Sequence, residues 1–218
     1  MESYTRVTEN YEKCQKNWKV IGIYACSIGA YFSIQAFQNT KPDICLLVSP
    51  VLDMEDMISN MMLQAQVTEE QLKESQEIKT ETGVVLSWKY LCWVREHPVK
   101  SICKETNILY GIQDEIIPYK IVKKFSEEND CRLNFVGNGQ HWLHTDREVA
   151  AMRKWEQTVL EESRSIIPNK GLKNILNNNG IRNRSSEKMK EDDTFGRGYY
   201  YKSIKSKFRI YETIRAND

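Results

Sequence analysis

The sequence predicts an α/β fold, a parallel sheet with helices on both faces. Four short apolar runs, VIGIYA (20–25), ICLLV (44–48), NILYGI (107–112) and RLNFV (132–136), alternate with segments of helical periodicity. The first two are continuous rather than alternating, as strands buried on both faces require. Strand–helix alternation repeated four times is the pattern of layered α/β architecture. Right-handed crossovers then lay the four strands side by side in sequence order.

The elements follow in chain order. Tyr4, Val7, Tyr11, Cys14 and Trp18 recur at helical spacing and give one amphipathic helix. Strand 20–25 meets a tight turn at Cys26–Gly29, and residues 30–38 read as helix, with Tyr31, Ile34 and Phe37 or Phe32 and Ala36 facing inward. The second strand stops at Ser49–Pro50. The stretch 51–103 reads as largely helical, with a capping box and hydrophobic staple in Val67-Thr68-x-x-Gln71-Leu72. Gly83 breaks it, and an aromatic helix runs through Trp88, Tyr90, Leu91 and Trp93 to Pro98. Beyond the third strand, Pro118 opens a helix carrying Ile121, Val122 and Phe125. After the fourth, the capping box Thr145-x-x-Glu148 starts a helix with Val149, Met152, Trp155 and Val159 on one face.

Composition narrows the function. The 218 residues are 40% apolar and 28% charged, enough for a packed core, and the formal net charge is +1. That balance gives no electrostatic case for nucleic acid or an acidic membrane as the main partner. No apolar run reaches the length of a membrane span, and MESYTRVTENYEK lacks the pattern of a secretory signal. The six cysteines form no C-x-x-C pair, so reduced thiols in a cytoplasmic protein are expected, without a disulfide framework or metal site. Residues 161–218 carry 13 Lys and Arg against 8 Asp and Glu, whereas the first 160 residues are net acidic. With Pro168 and Gly171 as stop signals, the division is a domain over 1–162 and a basic, Asn-rich tail over 163–218.

The chemistry sits in the turn after the first strand. Ala25-Cys26-Ser27-Ile28-Gly29 puts a serine at a strand–turn–helix apex with small residues two positions to either side. A strained nucleophile elbow needs that spacing, because larger side chains would collide with the neighbouring strand and helix. A serine is inert without a base. Of the three histidines, His141 lies five residues past the fourth strand and His144 is an alternative, closer to the helix start at Thr145. His97, in Glu96-His97-Pro98, reads as a surface helix end. Asp114 lies two residues past the third strand, where it is either a catalytic carboxylate or a turn-capping residue. All of these ends are where open α/β sheets place their sites.

Through IGIYACSIGAYFS, LLVSPVLDM, ILYGIQDEIIP and GQHWLHT, and through the order Ser27…Asp114…His141, the stretch from Trp18 to about Val159 resembles the α/β-hydrolase fold serine esterases and aminopeptidase-like enzymes. The resemblance implies Ser27 as nucleophile, His141 as general base and then acid, and Asp114 orienting the imidazole, with no cofactor. It implies the Ile28 N–H as half of the oxyanion hole and residues 51–103 as the lid. Trp88 and Trp93 then shape a pocket for a small acyl-containing substrate; the Met54, Met57, Met61, Met62 cluster reads first as lid packing and second as part of that pocket.

The chain departs from that pattern in two respects. Ala25 stands where the motif usually has glycine, and the strands and His-Gly loop that precede the nucleophile strand have no counterpart upstream of Ser27. The reading is therefore the C-terminal portion of a serine hydrolase with impaired activity; the alternative is a non-catalytic binding protein on the same scaffold. Strand 20–25 becomes an apolar edge, a hazard for self-association. Residues 197–213 interleave basic residues with aromatics such as Tyr199–Tyr201, and they read as a strand-like cover for that edge ahead of a nucleic-acid contact.

Overall fold

The computed structural model describes residues 8–9, 11–13, 15–16, 20–38, 41–99, 103 and 105–163, together with the backbone of 164–166 and 208–212. Helical backbone at 8–9, 11–13 and 15 falls within the N-terminal helix expected from sequence, and buried Tyr11 packs on Phe37 with ring centroids 4.7 Å apart. Its other expected apolar positions, and the Tyr199–Tyr201 segment, lie outside the described residues.

The elements are β1 (Ile21–Cys26), α1 (Ile28–Ala36), β2 (Ile44–Val48), α2 (Met54–Gln64), α3 (Glu69–Ser75), β3 (Glu77–Lys79), β4 (Val85–Ser87), α4 (Trp88–Glu96), β5 (Thr106–Gly111), α5 (Tyr119–Glu128), β6 (Arg132–Val136), α6 (Asp146–Ile166) and β7 (Phe208–Glu212). The main sheet has the order β6-β5-β2-β1-β7. The four strands expected from the sequence are mutually parallel and adjacent in chain order.

Alternation along the strands builds two cores. Ile21, Ile23, Ala25, Cys45, Leu47, Ile108 and Tyr110 face the layer containing α1, α5 and the 51–103 insertion. Tyr24, Ile44, Leu46, Val48, Leu109 and Val136 face α6 through Trp155 and Val159. Successive side chains point to opposite faces, so a strand with helices on both sides must be apolar throughout. Ile23, Leu47 and Ile108 are fully buried, each contributing about 1.5–3 kcal/mol relative to exposure.

The insertion differs from the largely helical reading. Between α3 and α4 it forms the antiparallel hairpin β3–β4, with Ile78 opposite Leu86. Gly83, at φ +83°, turns that hairpin, and the Thr80 N–H donates to the Val84 carbonyl at 2.7 Å. The glycine that reads as a helix breaker thus reverses the chain between strands. Both capping boxes are present. Thr68 and Gln71 cap α3 reciprocally, and Thr145 and Glu148 do the same at the start of α6.

At the outer edge of β1 lies β7, antiparallel, with Ile21 opposite Glu212 and Ala25 opposite Phe208. The sequence leaves this edge either to associate with another molecule or to recruit residues 197–213, and the structure shows the second arrangement. Net ladder bonds of about 1 kcal/mol each are offset by about 1–2 kcal/mol of ordering cost per residue, so the backbone ladder alone holds β7 weakly. Ending the chain at residue 207 is expected to leave the β1 edge open and to shift the protein to dimers or larger species that grow with concentration. Light scattering coupled to size exclusion checks this; a truncated chain that stays monomeric at all concentrations refutes it.

Candidate active site

Ser27 is the N-cap of α1 and sits at φ 50°, ψ −127°, a backbone region that L-residues occupy only when their surroundings force it. Three backbone bonds supply that force. The Ser27 N–H donates to the Val48 carbonyl at 2.9 Å, and the Ser27 carbonyl accepts from the N–H groups of Ala30 at 3.0 Å and Val51 at 3.1 Å. The elbow is therefore fastened to β2 and to the segment beyond it, and Ser27 stands half-exposed. By helix geometry the first N–H groups of α1, beginning with Ile28, have no acceptor inside the helix and carry its positive dipole end.

Two loops come to this point from across the sheet. The Ser27 Oγ is 2.8 Å from His141 Nε2, and His141 Nδ1 is 2.9 Å from Asp114 Oδ2. Side-chain exposure is 0% for Asp114 and 4% for His141, so water competes little for these bonds. Asp114 is fixed by its other oxygen, Oδ1, which accepts the backbone N–H groups of Ile116 and Ile117, both at 2.9 Å. The turn-capping and triad readings of Asp114 are thus compatible, one oxygen serving each.

His144, the other candidate base, is 63% exposed and lies 4.0 Å from Glu148. The structure brings His141, and not His144, to Ser27. His97 is exposed at the end of α4, stacked on Trp93. Trp93 also stacks on Tyr90, and Trp88 lies beneath the Lys73 ammonium at 5.9 Å. These ring contacts are made within the insertion rather than with Ser27, Asp114 or His141.

Sequence reasoning missed the residues that bring the loops together. A Cβ on Gly111 would come within 2.4 Å of the Gly139 carbonyl oxygen and 2.8 Å of that of Gln140. Only a residue without a side chain lets the His141 loop lie against the end of β5, where the Gln113 N–H donates to the Gly139 carbonyl at 2.8 Å. The available signal was Gly137-x-Gly139 shortly before the histidine. Gly111→Ala is expected to push this loop outward and to break the Gln113–Gly139 bond, raising amide exchange at Gln113 at least about tenfold. Hydrogen exchange on the folded variant checks this, and parent-like protection of Gln113 would refute it. Two further residues, Ile112 and Trp142, are large, apolar and 61% and 63% exposed. They adjoin the Asp114 and His141 loops, and the Trp142 ring stands edge-on to His141 at 4.9 Å.

Among the described residues there is no group of histidine, cysteine, aspartate or glutamate side chains arranged to hold a metal, and Cys45, Cys92, Cys103 and Cys131 are in no disulfide. No helix among them is long and apolar enough to cross a membrane.

No family model and no curated protein matches the chain. Solved structures do. A protein described as a hydrolase from Agrobacterium vitis S4 is 19% identical, with a TM-score of 0.51 over 62% of this chain and 59% of its own. The mouse α/β hydrolase domain-containing protein 10 gives 13% and 0.49 over 64% and 62%, and Est1E from Butyrivibrio proteoclasticus 18% and 0.47 over 63% and 60%. This chain therefore spans less than two thirds of the length of each. The first likeness, together with the parallel strand order, shows that the described region has part of an α/β-hydrolase fold.

Proposed function

We propose that this protein is a serine hydrolase that cleaves a carboxylic ester or amide through an acyl-enzyme. The observation that carries the reading is the continuous line from a strained, half-exposed Ser27 Oγ through His141 to a buried Asp114. In this mechanism His141 Nε2 takes the Ser27 proton as Oγ attacks the substrate carbonyl carbon. The Ile28 N–H donates to the oxyanion of the tetrahedral intermediate. His141 then passes its proton to the leaving oxygen or nitrogen, and the acyl group stays on Ser27. Water, deprotonated by the same imidazole, attacks the acyl carbon; the bond to Ser27 Oγ breaks, His141 returns the proton to Oγ, and the acid leaves. Asp114 keeps the Nδ1 proton in place and stabilises the imidazolium formed in each half-reaction.

Ile28 is the donor this reading assigns to the oxyanion. The substrate is small and acyl-containing; Trp88 and Trp93 are proposed to contact its acyl group from the insertion, and Ile112 and Trp142 to frame the open side of the site.

The test is hydrolysis of p-nitrophenyl acetate and butyrate by the full 218-residue chain, with fluorophosphonate labelling mapped by mass spectrometry. One label per chain on Ser27 with measurable turnover supports the reading. No labelling and no turnover above the uncatalysed rate overturns it, and the scaffold would then be that of a binding protein.

A further inference from the structure

We propose that Glu148 is a positioning residue for the general base, holding the His141 loop in register with Ser27 from the first turn of α6. The proposal rests on the hydrolase reading above for its kinetic consequence, but on hydrogen bonds alone for its structural one.

As the third residue of a capping box, Glu148 has an ordinary local duty. Its Oε2 accepts the Thr145 N–H at 2.8 Å and the Thr145 hydroxyl at 2.7 Å, and its own N–H donates to Thr145 Oγ1 at 3.3 Å. A capping box needs only that reciprocal pair. Here the carboxylate does more, because Oε1 accepts the backbone N–H of Gln140, eight residues back, at 3.1 Å. Gln140 immediately precedes His141. The loop is thus held at two successive residues before His141, at Gly139 by the Gln113 N–H and at Gln140 by Glu148.

The loop needs such holding. Asn138 and Leu143, on either side of His141, have φ values of 58° and 41°, a conformation that non-glycine residues rarely adopt unaided. Ser27 and Asp114 hold the imidazole through its two ring nitrogens, whereas the Gln140 bond holds the backbone beside it. The carboxylate is suited to the task. It is buried, which pushes its pKa up, but bonds from the Thr145 N–H, the Thr145 hydroxyl and the Gln140 N–H outweigh burial, with a further contribution from the nearby His144 ring, and bring it down to about 2. A carboxyl depressed in the folded state stabilises it fully above its unfolded pKa, about 4.3, and loses that contribution only as pH falls through about 2. The tie is therefore present at neutral pH.

Glu148→Asp separates the two duties. It keeps the charge at the helix start, where a shorter carboxylate still serves Thr145, but loses one methylene and the reach to Gln140. Expected results are a melting temperature near that of the parent and an amide-exchange rate at Gln140 raised at least tenfold. The low-field proton resonance of the His141–Asp114 bond broadens or disappears. On p-nitrophenyl acetate, kcat falls about tenfold with KM within about twofold, and adding the change to a His141→Ala chain lowers the residual rate no further. Glu148→Ala is expected to show the same losses with a lower melting temperature as well. A Glu148→Asp chain that keeps Gln140 protection and the His141 resonance overturns the proposal and leaves Glu148 a helix cap. If the parent chain shows no turnover, the hydrolase reading fails, while the exchange and resonance measurements still decide the role of Glu148.

Discussion

Replacing Ser27 by alanine is expected to lower kcat for p-nitrophenyl esters by about 10⁴–10⁶ and to abolish fluorophosphonate labelling. At about 1.4 kcal/mol per decade this is a loss of about 5.5–8 kcal/mol of transition-state stabilisation. The fold should survive, because the bonds that fix the elbow are made by the Ser27 backbone to Val48, Ala30 and Val51, and alanine keeps them all. Alanine also keeps the strain, whereas glycine relieves it. With the dihedral cost of such a residue at about 1–3 kcal/mol, Ser27→Gly should be equally inactive yet melt at a higher temperature than Ser27→Ala. Retention of most activity by either variant would remove Ser27 from the mechanism.

Asp114→Asn is expected to reduce kcat by about 10⁴, the effect known where a triad carboxylate becomes an amide. The local bonding gives the reason. The Ile116 and Ile117 N–H groups both donate to Asp114 Oδ1, so the amide oxygen of asparagine must take that position. Its NH₂ then faces His141 Nδ1, 2.9 Å away in the parent. Nδ1 must become an acceptor, the ring proton moves to Nε2, and the nitrogen beside Ser27 Oγ donates instead of accepting. The imidazole stays in place as the wrong tautomer. Nitrogen NMR of the labelled histidine should show the proton transferred to Nε2, and steady-state kinetics should show the loss in kcat. An asparagine variant within tenfold of the parent would mean that Asp114 serves only the turn.

Much of the fold was legible because its signals are local. Continuous apolar runs at 20–25 and 44–48 can be satisfied only between two layers, and the strands form there within a residue. Thr68 with Gln71, and Thr145 with Glu148, announce helix starts through bonds that span three residues. The hairpin at 77–87 was hidden because three-residue strands leave too short an alternation to stand out beside the helical pattern around them.

The sequence by itself determined the residue types of the candidate site and their places at strand ends, since a small-x-Ser-x-small turn and a carboxylate before a helix are each written in a few consecutive residues. Only the tertiary structure decided that His141 and not His144 reaches Ser27, that Gly111 must lack a side chain, that Glu148 reaches back to Gln140, and that β7 lies on β1. The reason is physical. Ser27 and His141 are 114 residues apart. Whether such groups meet depends on how closely two loops approach across packed strands, and that distance is set by contacts from all of the intervening elements, which no local pattern records.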